Sequence, residues 1–236
     1  METHLEMELD GLKQQLLLMA SHAETAVNQA VQALVQRDYD LALQVRENDR
    51  IIDQFEVEID DLVIQLLTKA PLATNLRLVT VAMKISQNLE RVGDEATKIA
   101  KRARDLSREV PVKINLDLPR MAGLALDMLK AALDAFVNRD PAAARAIIPR
   151  DKEVDALNKQ IHEILAKHMV ANPDTIGRCL NWMVASKSLE RIADHAKNVA
   201  EEVVYLYEAQ DIRHTGVKSG EKAAPPDAGP RENIER

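Results

Sequence analysis

One octapeptide that returns constrains this chain more than any other feature. Leu89-Glu90-Arg91-Val92-Gly93-Asp94-Glu95-Ala96 recurs as Leu189-Glu190-Arg191-Ile192-Ala193-Asp194-His195-Ala196, 100 residues further on. A second match lies upstream of each copy. Residues 30–53 align with 132–155 at an offset of 102, with Arg37-Asp38 over Arg139-Asp140, Asp49 over Asp151 and Asp53 over Asp155. Two signals in the same order at nearly the same offset mark a tandem duplication, because helical composition alone would not hold that register. The stretch between the two signals is two residues shorter in the second copy.

Breakers divide each copy into three helices. In the first copy they are expected at about 6–36, from the Asp38 cap to about 69 before Ala70-Pro71, and at about 74–108. In the second, Asp140-Pro141 offers an N-cap carboxylate followed by a proline suited to the first helical position. The middle helix there ends before Asn172-Pro173, and the last runs over about 174–208. Pro149 falls inside that middle helix and should kink or break it. Apolar residues follow helical spacing: Val45, Ile52, Phe55, Ile59, Leu62 and Leu66 in one helix, Leu78, Val81, Ile85, Leu89, Val92, Ala96 and Ile99 in the next. The expectation is an all-α chain of six helices in two tandem three-helix bundles. The units are 1–109 and 120–210, joined by a link over 110–119 and followed by a flexible tail over 211–236.

Composition narrows the function. Aromatic residues make up 3% of the chain, too few for a base-stacking surface. The formal charge of −7 lacks the basic balance of a nucleic-acid binder. Cys179 is the single cysteine, so neither an internal disulfide nor a Cys-based zinc site can form. No apolar run approaches the ~20 residues that span a bilayer. With an acidic N-terminus that lacks a signal-peptide pattern, this points to the cytoplasm.

Beside the apolar stripe of the first middle helix runs an acidic one: Asp49, Asp53, Glu56 and Asp60. The following helix carries Glu90 and Asp94, and the second copy repeats the pattern with Asp151, Asp155, Glu190 and Asp194. Residues four apart on a helix lie ~5–6 Å apart at Cβ, and a like-charged pair costs ~0.2–0.5 kcal/mol. A hard or borderline cation bridging carboxylates of adjacent helices would relieve that repulsion. The alternative is a solvated face whose acids pair with Arg46, Arg50, Arg91 and Arg191. Catalytic patterns fail on spacing. A di-iron site needs Glu-x-x-His, whereas Gly93 and Ala193 fill that place. Neither His-Glu-x-x-His nor a glycine-rich phosphate loop is present. Cys179 reads as a buried packing residue; His22, His162 and His168 read as isolated helical histidines. The expected class is a binding regulator rather than an enzyme. A carboxylate-bridged metal oxidoreductase and a metal-free helical scaffold are the alternatives.

The repeated Leu-Glu-Arg-[Val/Ile]-[Gly/Ala]-Asp, the Asp-x-x-[Ile/Val]-Asp of the middle helices, Arg77-Leu78-Val79 and the ending Gln210-Asp211-Ile212-Arg213-His214 together resemble the PhoU family of bacterial phosphate-transport regulators. The resemblance implies two three-helix bundles related by a pseudo-two-fold axis. It also implies a cytoplasmic, often dimeric protein, with a multinuclear cluster of iron, zinc or another divalent metal and no organic cofactor. Carried onto this chain, Glu90, Asp94, Glu190 and Asp194 would be ligands, joined by Asp49, Asp53, Asp151 and Asp155. Asn198 fits the family pattern, whereas Lys98 at the equivalent place supplies no oxygen and Ala193 replaces the usual glycine. The role implied is negative regulation of the phosphate regulon and of uptake. The partners would be the ATPase subunit of the phosphate-specific ABC transporter and a sensor histidine kinase. The membrane would be met only through those partners.

Overall fold

The computed structural model describes residues 4–69 and 73–213, and every regular element among them is helical. The first repeat comprises α1 (His4–Gln36), α2 (Tyr39–Leu67) and α3 (Ala73–Ser107). The second comprises α4 (Leu118–Asn138), α5 (Pro141–Ile147), α6 (Asp151–Ala171) and α7 (Ile176–Glu208). The predicted breaker Ala70-Pro71 and the tail beyond Arg213 lie outside the described residues.

The middle helix of the second repeat is two pieces, α5 and α6, joined by a 3-10 turn at Ile148–Arg150. Pro149 explains the break: it has no N–H to give, and its ring would strike the carbonyl one turn back. Glu47 stands at that register in the first repeat, and α2 runs through unbroken. A second 3-10 turn at Pro173–Thr175 delays α7 to Ile176, two residues later than the sequence suggests. There Thr175 Oγ1 donates to the Asn172 carbonyl at 2.7 Å.

The duplication extends to the hydrogen bonds of the turns. Arg37 and Arg139 both take left-handed backbone, with φ of 59° and 56°. The next residue, Asp38 or Asp140, donates its N–H to the carbonyl of Ala33 or Ala135 at 2.9 and 3.0 Å, the wrap that closes a helix C-terminus. Each aspartate then caps the following helix, accepting from the N–H of Leu41 or Ala143 at 2.9 Å. Glycine is the usual residue at such a left-handed site. Arg37 offsets the strain by donating from Nη2 to the Leu106 carbonyl at 2.5 Å and to that of Glu109, tying the turn to the end of α3.

Helix α3 packs on α1 and α2, α7 packs on α4, α5 and α6, and the two long helices pack on each other. Their polar pairs show an antiparallel crossing: Lys84 with Glu202 at 3.0 Å, Asn88 with His195 at 3.0 Å, Glu95 with Arg191 at 3.4 Å and Arg102 with Asn181 at 3.2 Å. Asn88–His195 and Ser188–Glu95 contacts are exchanged by the repeat offset, as a two-fold axis requires. Burial pushes Glu95 up, but hydrogen bonds from Lys98 and Ser188 and the charge of Arg191 outweigh it and hold the carboxyl below its usual range.

Replacing either turn aspartate with alanine, Asp38→Ala or Asp140→Ala, should each cost about 1 kcal/mol. The sites are far apart, so urea denaturation of the double variant should show the sum.

Candidate functional site

On α3 the motif leucine and valine face inward, with Leu89 and Val92 wholly buried. Helical rotation then carries Glu90 and Asp94 to the rim of the packed seam, where both are half-buried. Helix α2 runs alongside and brings Asp49 and Glu56 to the same rim, half-buried, with Asp53 beside them and exposed. Gly93 lets the helices approach this closely. A Cβ there would meet Ile52 Cδ1 at 2.9 Å and Asp49 Oδ1 at 3.1 Å.

The acids of the two helices share one field. Burial pushes the Asp49 carboxyl up to about 6, and the charges of Asp53 and Asp94 add to it. Glu56 is raised by burial and then by Asp60, and Glu90 by burial and then by Asp94; Arg91 opposes both shifts. Arg91 is also the pairing cation here, 3.3 Å from Glu90 Oε2 and 3.2 Å from Asp94 Oδ2, reaching in from an exposed position. Glu56, part of the acidic stripe but of no motif, therefore belongs to this cluster.

The second repeat is more deeply set. Asp151 is 6% exposed and Glu190 9%, while Asp155 is exposed and Asp194 half-buried. Asp155 and Asp194 are pushed up by burial and then by Asp151 and Glu190. Here the countercharges are lysines: Lys197 Nζ is 2.9 Å from Asp151 Oδ2 and 4.0 Å from Asp194 Oδ1, and Lys187 Nζ is 2.5 Å from Glu190 Oε2. Ala193, fully buried, puts a methyl group where the first repeat has the Gly93 hydrogen.

In each repeat acids of adjacent helices thus lie along one rim, within electrostatic reach of one another. Asn198 does not join the second cluster; its Nδ2 donates to Asn88 Oδ1 at 3.3 Å, across the α3–α7 contact. Its position on α7 turns it past the α6 side toward the other repeat. Arg191 pairs with Glu95 rather than with its neighbouring acids, because α3 lies within reach. Lys187 and Lys197 escaped the motif reading, although their places at i−3 of Glu190 and i+3 of Asp194 were visible signals. Among the described residues no three Asp, Glu, His or Cys side chains stand close enough to hold a metal ion as arranged. The first cluster offers a hard cation carboxylate oxygens from two helices, which Gly93 allows to approach by carrying no side chain against Ile52 and Asp49. Cys179 is fully buried, with its Sγ 3.6 Å from Thr175 Oγ1. Among the described residues no helix is long and apolar enough to cross a membrane.

Comparison with known proteins agrees with this architecture. The family model described as the PhoU domain matches twice, over residues 16–103 and 118–203, one match per repeat. Phosphate-specific transport system accessory protein PhoU homologues from Pseudomonas aeruginosa and Pseudomonas putida are 40% and 39% identical. The alignments cover 89% of this chain in each case, with 88% and 83% of the relatives. The Escherichia coli accessory protein PhoU is 33% identical over 89% of this chain and 87% of its own length. The crystal structure of PhoU from Pseudomonas aeruginosa superposes with a TM-score of 0.84 at 38% identity, covering 88% of this chain and all of that one. That of the phosphate transport system regulatory protein PhoU from Streptococcus pneumoniae does so at 0.79 and 26%, covering 89% and 99%.

The Asp49 shift sets a pH dependence. Its folded value lies above the ordinary 3.8, so the fold favours the protonated carboxyl and loses stability as pH rises from about 4 to 6. In chelator, Asp49→Asn should be more stable than the parent at pH 7, with the gain vanishing near pH 4. Thermal melts across that range would read it, and a gain unchanged by pH would contradict the shift.

Proposed function

The chain belongs to the PhoU family, and on that premise we propose that it is an accessory protein of phosphate-specific transport that restrains uptake and the phosphate regulon when phosphate is plentiful. What carries the reading is similarity to phosphate-specific transport accessory proteins along both repeats, not at one motif alone. The protein acts by binding, as an adaptor in the cytoplasm. One partner is the ATPase subunit of the phosphate ABC transporter and another is the sensor histidine kinase; the chain itself pairs as a homodimer. Long helices suit this role, because their outer faces offer extended docking surface. Val57 and Ile64 of α2 are 61% and 63% exposed, one heptad apart on the side turned from the bundle.

Metal enters the reading through the first cluster. Asp49, Asp53, Glu90 and Asp94 would hold a divalent ion or a small cluster of such ions, with Glu56 at hand. The ion's charge would neutralise acids on two helices at once. The chain's own part is to present those oxygens at one rim, to keep Gly93 free of a side chain beside Asp49, and to leave Arg91 at an exposed position from which it can swing away. Holding α2 against α3 in this way sets the shape and charge of the surface that a partner meets. The counterpart set, Asp151, Asp155, Glu190 and Asp194, already carries lysine ammonium groups.

Deleting the gene in its native bacterial host should derepress alkaline phosphatase in phosphate-replete medium, and a plasmid copy should restore repression. Unchanged phosphatase in the deletion strain overturns the regulatory reading.

A further inference from the structure

The duplication sets two acid clusters at equivalent places, with Asp49 inside α2 and Asp151 opening α6, and the residues flanking them differ in charge. Gln87 and Thr97 of α3 stand where α7 has Lys187 and Lys197. The Thr97 hydroxyl turns back to its own helix, donating to the Asp94 carbonyl at 2.8 Å, and brings no charge. Lys197 instead spans from α7 to α6 and donates to Asp151 at 2.9 Å. That carboxylate is 6% exposed, whereas the Lys197 side chain remains 31% exposed. The ammonium also lies 4.0 Å from Asp194, between acids of both helices. Lys187 occupies Glu190 from the opposite side of the cluster. Ala193 carries a buried methyl group at the position where, in the first repeat, one would run into Ile52 and Asp49.

We propose that Lys197, seconded by Lys187, is the resident cation of the second cluster, standing in the place of a metal between α6 and α7, so that this chain takes metal at the first cluster alone. The inference rests on the metal reading above and narrows it to one of two sites. The physical reason is competition for the same oxygens. A divalent ion entering the second cluster would have to displace an ammonium that already holds Asp151 Oδ2, although Asp151 Oδ1 and Glu190 Oε2 are buried without a hydrogen-bond partner among the described residues. It would then have to tolerate that tethered charge within a few ångströms, where surrounding protein screens it poorly. In the first cluster the paired cation is Arg91, 61% exposed, which can move into water at little cost. An acid pair with an internal lysine has part of its demand for a cation met from within; one without a lysine does not.

The test titrates Mn2+ into the metal-stripped full-length chain by calorimetry, with elemental analysis after gel filtration. Glu190→Ala plus Asp194→Ala should leave the Mn2+ content of the parent unchanged, whereas Glu90→Ala plus Asp94→Ala should abolish it. Lys187→Gln plus Lys197→Thr, which writes the first repeat's residues into the second, should roughly double the bound Mn2+. Adding Glu190→Ala and Asp194→Ala to that variant should remove the gain. Lys197→Arg keeps the charge and should gain nothing. Circular dichroism checks that each variant is folded. A parent that loses about half its Mn2+ when the second cluster is removed overturns the proposal, as does a lysine-free variant that gains none. A parent that binds no Mn2+ defeats the metal reading of the first cluster. In that event a lysine-free variant that binds Mn2+ through Glu190 and Asp194 still upholds the role of Lys197.

Discussion

Helices α3 and α7 must satisfy neighbours on two sides at once, and the rest of the structure follows from this. Each forms the inner wall of its own bundle and each packs on the other. The motif leucines and the residues in register with them are consumed by packing, with Leu89, Val92, Leu189 and Ile192 fully buried. The acids of the repeated motif and of the crossing are left two places to go. They lie in the crossing, where Glu95 and Glu202 are held by Arg191 and Lys84, or along the rims facing α2 and α6. The candidate site is the second of these places.

At the rims the same scaffold meets the same electrostatic difficulty and resolves it differently. Carboxylates on neighbouring helices repel, and partial burial strengthens the repulsion because less water screens it. The first repeat leaves the problem open: Asp49 is pushed up to about 6 and an exposed arginine gives partial relief. The second repeat relieves part of it from within, through a lysine that joins two helices, while Asp155 and Asp194 are still pushed up. Duplication preserves the order of the helices and the places of the acids along them, apart from the break before Asp151. It does not preserve the countercharge, which depends on side chains one turn away.

Much of this was legible in the residues themselves. The repeat predicted two like bundles, and the Arg-Asp turns, the caps and the apolar stripes all lie at equivalent places in both. Pro149 announced the break between α5 and α6, because a proline inside a helix costs a hydrogen bond wherever it sits. The acid stripes were also visible, and adjacent helices bring them together. What periodicity could not supply was direction beyond a single helix. Arg191 and Arg91 share a motif, yet one pairs across the crossing with Glu95 while the other stays with Glu90 and Asp94. Asn198, placed by pattern among ligands, turns to Asn88 instead.

The division has a physical basis. Helix formation, capping, breaking and the burial of one face depend on residues within a turn or two of each other, so the linear order of this chain determined its helices, its duplication and the alignment of its acids. Which partner each long basic side chain chooses depends on what another helix presents within ~4 Å. Only the packing of α3 against α7 and of α6 against α7 decided that. The difference between two clusters of nearly the same sequence belongs to that second kind of information.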